Sequence, residues 1–440
     1  ESTGPIDDGE IRSARDVDGH GTHTATTAAG NRVRASIFNA FLGRIEGIAP
    51  RARVAAYKAC WLRPGDVRAS CNTSDLANAV DAAVGDGVDI INYSVGSSLT
   101  NVTAPDDIAL LAATKAGVFN VVAAGNEGPN FGTIGSPAGA PWVLTAGAST
   151  RAGESSSEAL EILAPAGLAG LIRLKEASFT PALAGLAAIE ASVVLTDDGE
   201  RVLEDGGAGT LADGCEPLIN DSEMSGNIAL VQRGGCEFDI KIDNAESAGA
   251  IAVIVYNNAG DPIVMNGSGD AIDIPAVMIG QADGNRIIEE LDAGTDVRAR
   301  LDDGVLLTEN DSGNEMAAFS ARGPGPTPDI LKPDVTAPGV NILAGFTPDA
   351  ANSTPGEEFA YLSGTSMSTP HVAGVAALLL QANPDWSPAA LKSAFMTTAR
   401  QTVTSTGSES QANPFEYGAG HIVPNAAAEP GPVSYTHLRA

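Results

Sequence analysis

The sequence predicts an α/β fold, a doubly wound parallel sheet with helices on both faces, interrupted by a smaller α+β insert. Three observations carry this prediction. Strand-like and helix-like stretches alternate over residues 20–150; the texture breaks near Arg151 and returns after about Asn310; and a long run, apolar nearly all round, follows Gly364. Such alternation builds parallel sheets, because the crossover helices cover both faces. Ligands on these sheets bind beyond the carboxyl ends of the strands.

Four short stretches, rich in β-branched or small apolar residues, are expected as strands: Arg53–Cys60, Val88–Val95, Val118–Asn126 and Trp142–Ser149. Between them "SDLANAVDAAVGDG" and "DDIALLAATKAG" carry helical periodicity and stop at glycine. Residues 151–214 are rich in Ala and Gly with scattered charges, and no pattern emerges from them. Gly226–Asn258 then gives strand, Gly-Gly turn, helix and strand, and Ile274–Leu291 adds another strand and helix. The expected organisation is a main domain in two parts, 1–150 and 309–432, around an insert at 151–308 whose core spans about 215–296. Residues 433–440, "PVSYTHLRA" from Val433 onward, change texture abruptly and read as an artefactual tail.

The totals narrow the function. At 440 residues the chain is long for one domain. No window holds the ~18 uninterrupted apolar residues that a membrane span needs. A net charge of −30 disfavours a nucleic-acid partner, since phosphate binding needs clustered Lys and Arg. Four cysteines allow three pairings. The local one, Cys60 with Cys71 and Cys215 with Cys236, suits an oxidising compartment, and free thiols are the alternative.

The chemistry concentrates in "GTSMSTPH", Gly364 to His371. A serine hydroxyl is a poor nucleophile until a base takes its proton. At the first turn of a helix, free N–H groups and the positive dipole end lie beside developing negative charge. "HVAGVAALLLQA" behind Ser366 marks a buried helix and so a rigid platform, and Pro370 is expected in its first turn, where no N–H is needed. A capped helix alone would explain this stretch. Two others join it. "DGHGTHTATTAAG" sets His20 at the start of a small-residue helix, and "VVAAGNEGP" ends a buried strand with Asn126, whose amide could aim at a site above the sheet. Nucleophile, base and oxyanion donor thus lie on three separate segments.

With "HGTHTA", "AAGNEG", "SPAGAPWVLTAGAS", "FSARGP", "KPDVTAPG" and "GTSMSTPHVAG" in this order, the chain resembles the subtilisin-like serine peptidases over most of residues 16–150 and 317–432. The resemblance implies Ser366 as nucleophile, His20 as general base and then acid, and Asn126 with the Ser366 N–H as oxyanion hole. It also implies peptide-binding edges at Ser94, Val95 and Gly96 and at Ala123, Ala124 and Gly125. His23 and His371 are expected as structural residues of their helices. The insert resembles a protease-associated (PA) domain, carried by "IALVQRGGCEFDIKIDNAESAGAIAVIVYNN". The implied protein is a secreted serine endopeptidase acting on proteins or peptides, with no cofactor. Calcium is left open and unplaced, and so is the oligomeric state. The acidic pairs Asp106–Asp107 and Asp302–Asp303 are expected as solvated loop charges.

One departure stands out. The family's triad begins with an Asp at the end of a strand, and nothing before His20 is an apolar strand leading into Asp. Asp7, Asp8, Asp16 and Asp18 sit in turn-like sequence, and "DSG" at Asp311–Gly313 lies far downstream. The expectation is an N-terminally truncated fragment with its first strands missing and the triad Asp outside it. A gap would then lie between the strands at 53–60 and 88–95, and the fragment would fold and react poorly. The competing reading is a catalytically silent binding protein that uses the insert to hold a partner. An α/β-hydrolase esterase is disfavoured, because Ser366 lacks the Gly-x-Ser-x-Gly elbow.

Overall fold

The computed structural model describes residues 2, 4–7, 10–37, 40–64, 69–99, 101–177, 179–199, 209–258, 260–265, 267, 272–326, 330–350, 358–408 and 410–431. The tail at 433–440 lies outside the described residues. The chain divides into two compact units, Glu1–Glu154 with Asn310–Ala440, and Ser155–Glu309.

The first unit is built on four parallel strands in the order Val335–Pro338, Leu144–Ser149, Phe119–Ala123, Ile90–Tyr93. Val121, Leu144, Ala146 and Val335 are fully buried, as strands covered on both faces must be. On one face Thr365–Ala382 and Pro388–Thr398 bury Val372, Val375, Leu379 and Phe395 against Phe119, Val121 and Leu144. On the other, Thr73–Gly85 and Pro105–Lys115 bury Val80, Leu110 and Ala113 with Tyr93, Val122 and Val143. The sheet is therefore doubly wound. Below it, Lys332 and Lys392 both bond the Asp334 carboxylate, which also accepts from Thr145 N, so strand ends are tied by a buried ion cluster.

The strand expected at Arg53–Cys60 does not form. Only Cys60–Trp61 ladders, with Ser70–Cys71, and Val54 is 58% exposed. A strand needs a neighbour's N–H and C=O groups, and among the described residues no strand pairs with 53–59. One wall of the site cleft is made by Arg53 to Ala59 and another by Val88 to Asn92.

The second unit carries an eight-stranded sheet in which Arg298–Leu301 pairs with both Ile189–Leu195 and Ala152–Ala164. That double pairing closes the sheet on itself and leaves fewer open edges. Its parallel part, Ile228–Gln232, Ala252–Tyr256 and Ala276–Ile279, is buried almost throughout and covered by Phe238–Ser247 and Gln281–Asp292. Three strands fall in the region where the sequence showed no pattern: Ala152–Ala164, Gly170–Glu176 and Ile189–Leu195. Both disulfides are the local ones, Cys60–Cys71 and Cys215–Cys236. Among the described residues no helix is long and apolar enough to cross a membrane.

Candidate active site

Gly364 precedes the helix Thr365–Ala382, and Thr365 is its anchor. Fully buried, Thr365 donates its N–H to Asn126 Oδ1 at 2.9 Å, and its hydroxyl lies 3.0 Å from the same oxygen. The hydroxyl also accepts from Gly125 N at 3.2 Å. With Oδ1 held on this side, the amide turns Nδ2 the other way. A side chain begun at Gly364 would stand 3.6 Å from both Asn126 Nδ2 and Ser366 N and 3.7 Å from Asn126 Oδ1, so the end of the Asn126 amide and the Ser366 N–H lie beside one point. A small atom with developing negative charge placed there would meet both N–H groups and the helix dipole.

Ser366 and Ser94 exchange bonds. The Ser366 hydroxyl donates to Ser94 O at 3.1 Å, and the Ser94 hydroxyl donates to Ser366 O at 2.9 Å. The second bond has a cause. Pro370 lies in the second turn of the helix and not in the first, so its missing N–H leaves the carbonyl four residues back, Ser366 O, without its helical donor. Ser94 supplies it.

His20 opens the helix His20–Ala29. Gly19 before it has φ 95°, and a Cβ there would fall 2.2 Å from the Phe346 ring, so the turn that presents His20 needs glycine. Asp16 accepts from Asp18 N, Gly19 N, Thr22 N and the Thr22 hydroxyl. Burial pushes the Asp16 carboxyl up, but these bonds outweigh it and hold it below its usual range. Asp18 accepts from His20 N at 3.2 Å and Ala69 N at 3.1 Å. Both carboxylates therefore serve the turn.

His20, Asn126 and Ser366 all line one cleft of about 1830 Å³ within the first unit. Its lining includes the residues expected as peptide edges, Ser94, Val95 and Gly96 and Ala123, Ala124 and Gly125. The Ser366 hydroxyl is turned to Ser94 O. His23 is wholly buried, bonding Ile342 O at 2.8 Å and Ala360 O at 3.2 Å through Nε2, and burial takes its pKa down to about 4. His371 Nδ1 bonds Met367 O at 2.8 Å inside its own helix.

Two acidic groupings differ from expectation. Asp106 and Asp107 are not loop charges; they occupy the first turn of Pro105–Lys115 and are 4% and 0% exposed. In the second unit, Asp198, Asp213 and Glu216 bring carboxylate oxygens within 4.8 Å of one another, a grouping that their spacing in sequence did not reveal. The buried ammonium of Lys241, bonded to Asp213 O and 3.4 Å from Cys215 Sγ, lies in their field. Burial lowers the Lys241 pKa to about 8, and the three acids oppose that fall.

The first unit thus holds a parallel sheet, a serine at the start of a buried helix and a histidine on the same cleft. The Subtilase family model matches residues 3–420, and the chain belongs to that family. It is 40% identical over 448 residues to subtilisin-like protease SBT1.4 of Arabidopsis thaliana, covering 96% of this chain and 53% of the relative. With SBT1.6 of the same plant it shares 38% over 444 residues, covering 96% and 54%. The chain thus spans about half the length of these relatives. A solved psychrophilic subtilisin-like protease, Apa1 from Pseudoalteromonas sp. AS-11, aligns with a TM-score of 0.44 at 19% identity, over 94% of this chain and 84% of that one.

Proposed function

We propose that this chain carries the reactive centre of a secreted serine endopeptidase that cleaves proteins or peptides through an acyl-enzyme. Ser366 Oγ attacks the carbonyl carbon as His20 takes its proton; the carbonyl oxygen becomes an oxyanion between Asn126 Nδ2 and Ser366 N. His20 then protonates the leaving amine, and water repeats the sequence to free the acid. No cofactor enters these steps. The substrate backbone would lie extended between Ser94–Gly96 and Ala123–Gly125. The nearness of the Asn126 amide and Ser366 N to one point, in the cleft that His20 also lines, carries the reading.

Within this proposal the carboxylate that orients His20 is not Asp16 or Asp18, whose oxygens accept from the backbone of the turn. The space between 53–59 and 88–92 is where a further strand bearing it would fit. The insert is assigned no chemistry; its PA-like sequence suits control of access to the cleft. The competing reading, a silent binding protein, draws on the turn of the Ser366 hydroxyl toward Ser94 O.

A fluorophosphonate probe separates the two. Ser366 is expected to be labelled in the natural protein that contains these residues, and labelling is expected to vanish in Ser366→Ala and to slow in His20→Ala. No adduct at Ser366 in the natural protein would leave the binding role. The 440 residues alone are expected to be slow, by about the 3 × 10⁴ in kcat that loss of the triad aspartate costs in subtilisin itself. Vigorous cleavage of casein by them would show that His20 is oriented from within.

A further inference from the structure

We propose that Asn101 is a glycosylation site, its side-chain amide nitrogen bearing an N-linked oligosaccharide. This holds whether or not Ser366 is reactive.

The acceptor signature is Asn-x-Ser/Thr, where x is any residue but proline. Among the asparagines whose side chains are described, Asn72, Asn92, Asn101 and Asn220 open such a signature. The fold engages three of them. Asn220 gives Nδ2 to Leu195 O at 2.9 Å and accepts from Asp197 N on Oδ1 at 3.0 Å. Asn92 stands inside the strand Ile90–Tyr93, where its Nδ2 donates to Ser94 Oγ at 3.2 Å and its Oδ1 is buried. Asn72 precedes the helix Thr73–Gly85; its Oδ1 accepts from Arg63 Nη2 at 2.8 Å, and a side chain begun at Gly4 would stand 3.3 Å from its Nδ2. A sugar on any of these nitrogens would displace a bond or a neighbour.

Asn101 differs in each respect. Asn101 and Thr103 are both exposed, on the segment that leads into the helix Pro105–Lys115. The Asn101 Oδ1 accepts from Thr103 N at 3.2 Å and from Thr103 Oγ1 at 3.3 Å. The oxygen is thus turned back onto its own segment, as asparagine does in tight turns. Because the amide is planar, Nδ2 points the other way, and among the described residues it has no hydrogen-bond partner. A bulky, solvated group on that nitrogen requires no change in the fold.

The cysteines supply an independent observation. All four are paired, as Cys60–Cys71 and Cys215–Cys236, with none free. Such bonds form and persist in oxidising compartments, and the lumen where secreted chains acquire them is also where sugars are transferred to asparagine. In that transfer Nδ2 loses a proton and bonds the anomeric carbon of a lipid-pyrophosphate-linked oligosaccharide. The bond from that carbon to the pyrophosphate oxygen breaks, and the lipid pyrophosphate leaves with the electron pair.

Mass spectrometry of the natural protein tests the site. The tryptic peptide 69–115 holds Asn72, Asn92 and Asn101 together, so fragment ions decide among them. After peptide-N-glycosidase A treatment in heavy-oxygen water, position 101 is expected as aspartate carrying the heavy oxygen, with Asn92 and Asn220 unlabelled. In a eukaryotic secretory host, Asn101→Gln and Thr103→Ala are each expected to abolish the label, and Thr103→Ser to keep it. Unmodified asparagine at 101 in the natural protein overturns the proposal, and so does a label there that survives Thr103→Ala. Label at Asn92 or Asn220 with Asn101 bare overturns it as well. Should a variant not fold, the map of the unsubstituted protein decides.

Discussion

Thr365 touches no reacting atom in the proposed mechanism, yet it aims the group that does. Its N–H and hydroxyl both hold Asn126 Oδ1, so the outward direction of Nδ2 depends on it. Loss of the oxyanion-hole Asn costs about 10²–10³ in kcat in subtilisin, and Asn126→Ala is expected to fall in that range. Thr365→Val removes one neutral hydrogen bond, worth about 1 kcal/mol, and is expected to lower kcat roughly fivefold with KM little changed. In the Asn126→Ala background the valine should cost almost nothing more, because both act through one amide. Steady-state kinetics on one peptide substrate measures all three, and full additivity would deny Thr365 its positioning role. Ser366, His20 and Asn126 were legible in the sequence because motifs mark them. Thr365 stands in the same motif but gave no signal, since a threonine before a helix reads first as a cap. Asp106 was misread for a similar reason: adjacent acids suggest a wet loop, and only the fold reveals that this helix start is buried.

At the scale of elements, the serine helix and the histidine helix are placed by contact rather than by hydrogen bonds. Gly374 on the serine helix faces Ile48 and Ala28; a Cβ there would fall 2.6 Å from Ile48 Cβ and 2.8 Å from Ala28 O. Ala28 belongs to the helix that begins at His20, so anything that widens this contact moves the base away from the nucleophile. Gly374→Ala is expected to destabilise the first unit by about 1–3 kcal/mol, the usual cost of overpacking, and to reduce fluorophosphonate labelling of Ser366 more than the melting shift explains. Melting curves with labelling rates check this; unchanged labelling at lowered stability would mean that the helices yield without moving His20. The bond from Ser94 to Ser366 O belongs here too. A proline misplaced for an ordinary helix creates the free carbonyl that fastens the peptide-binding edge to the nucleophile's turn. Strands within 118–126 and 142–149 were legible because burial on both faces leaves continuous apolar runs, and the one within 88–95 because its Val and Ile residues are β-branched. Strand 53–60 had the same composition and failed for want of a partner. The strands within 151–214 were hidden because Ala and Gly carry weak β-propensity, and pairing across the closed sheet overrides it.

For the whole molecule, the two units should respond to pH in opposite senses. His23 and His421 in the first unit both have pKa values near 4, lowered chiefly by burial, with Arg400 adding to the effect on His421. A histidine kept neutral by the fold stabilises above its unfolded pKa of about 6.5. That contribution is lost as pH falls toward 4, because the unfolded chain then binds more protons. Each contributes at most roughly 3 kcal/mol. Glu176 in the second unit is raised to about 7, mostly by burial and then by Glu158. Its neutral form is the one the fold favours, so its contribution is complete below about 4.5 and is lost as pH rises to 7. Calorimetry between pH 4 and 7 is expected to show one transition shifting up and another shifting down. Glu176→Gln should flatten the second and His23→Asn the first. A single transition that moves one way in all three proteins would contradict this.

The sequence by itself determined the α/β class and the family motifs from which the proposed chemistry is read. For the four cysteines it left three pairings and free thiols open, and the structure supplied the two local bonds. The class and the motifs are written in local pattern: periodicity, spacing, or residue types that have few other uses. What only the tertiary structure decided is how those residues are held and what surrounds them. The amide of Asn126 faces outward because Thr365 grips its other end, and Ser94 meets Ser366 through a carbonyl that a proline left free. Asp106 is a buried acid that accepts from Tyr93 OH because a helix start was buried there. Such facts depend on atoms brought together from hundreds of residues apart, where hydrogen-bond directions and the exclusion of water are set by packing and by no single stretch of chain.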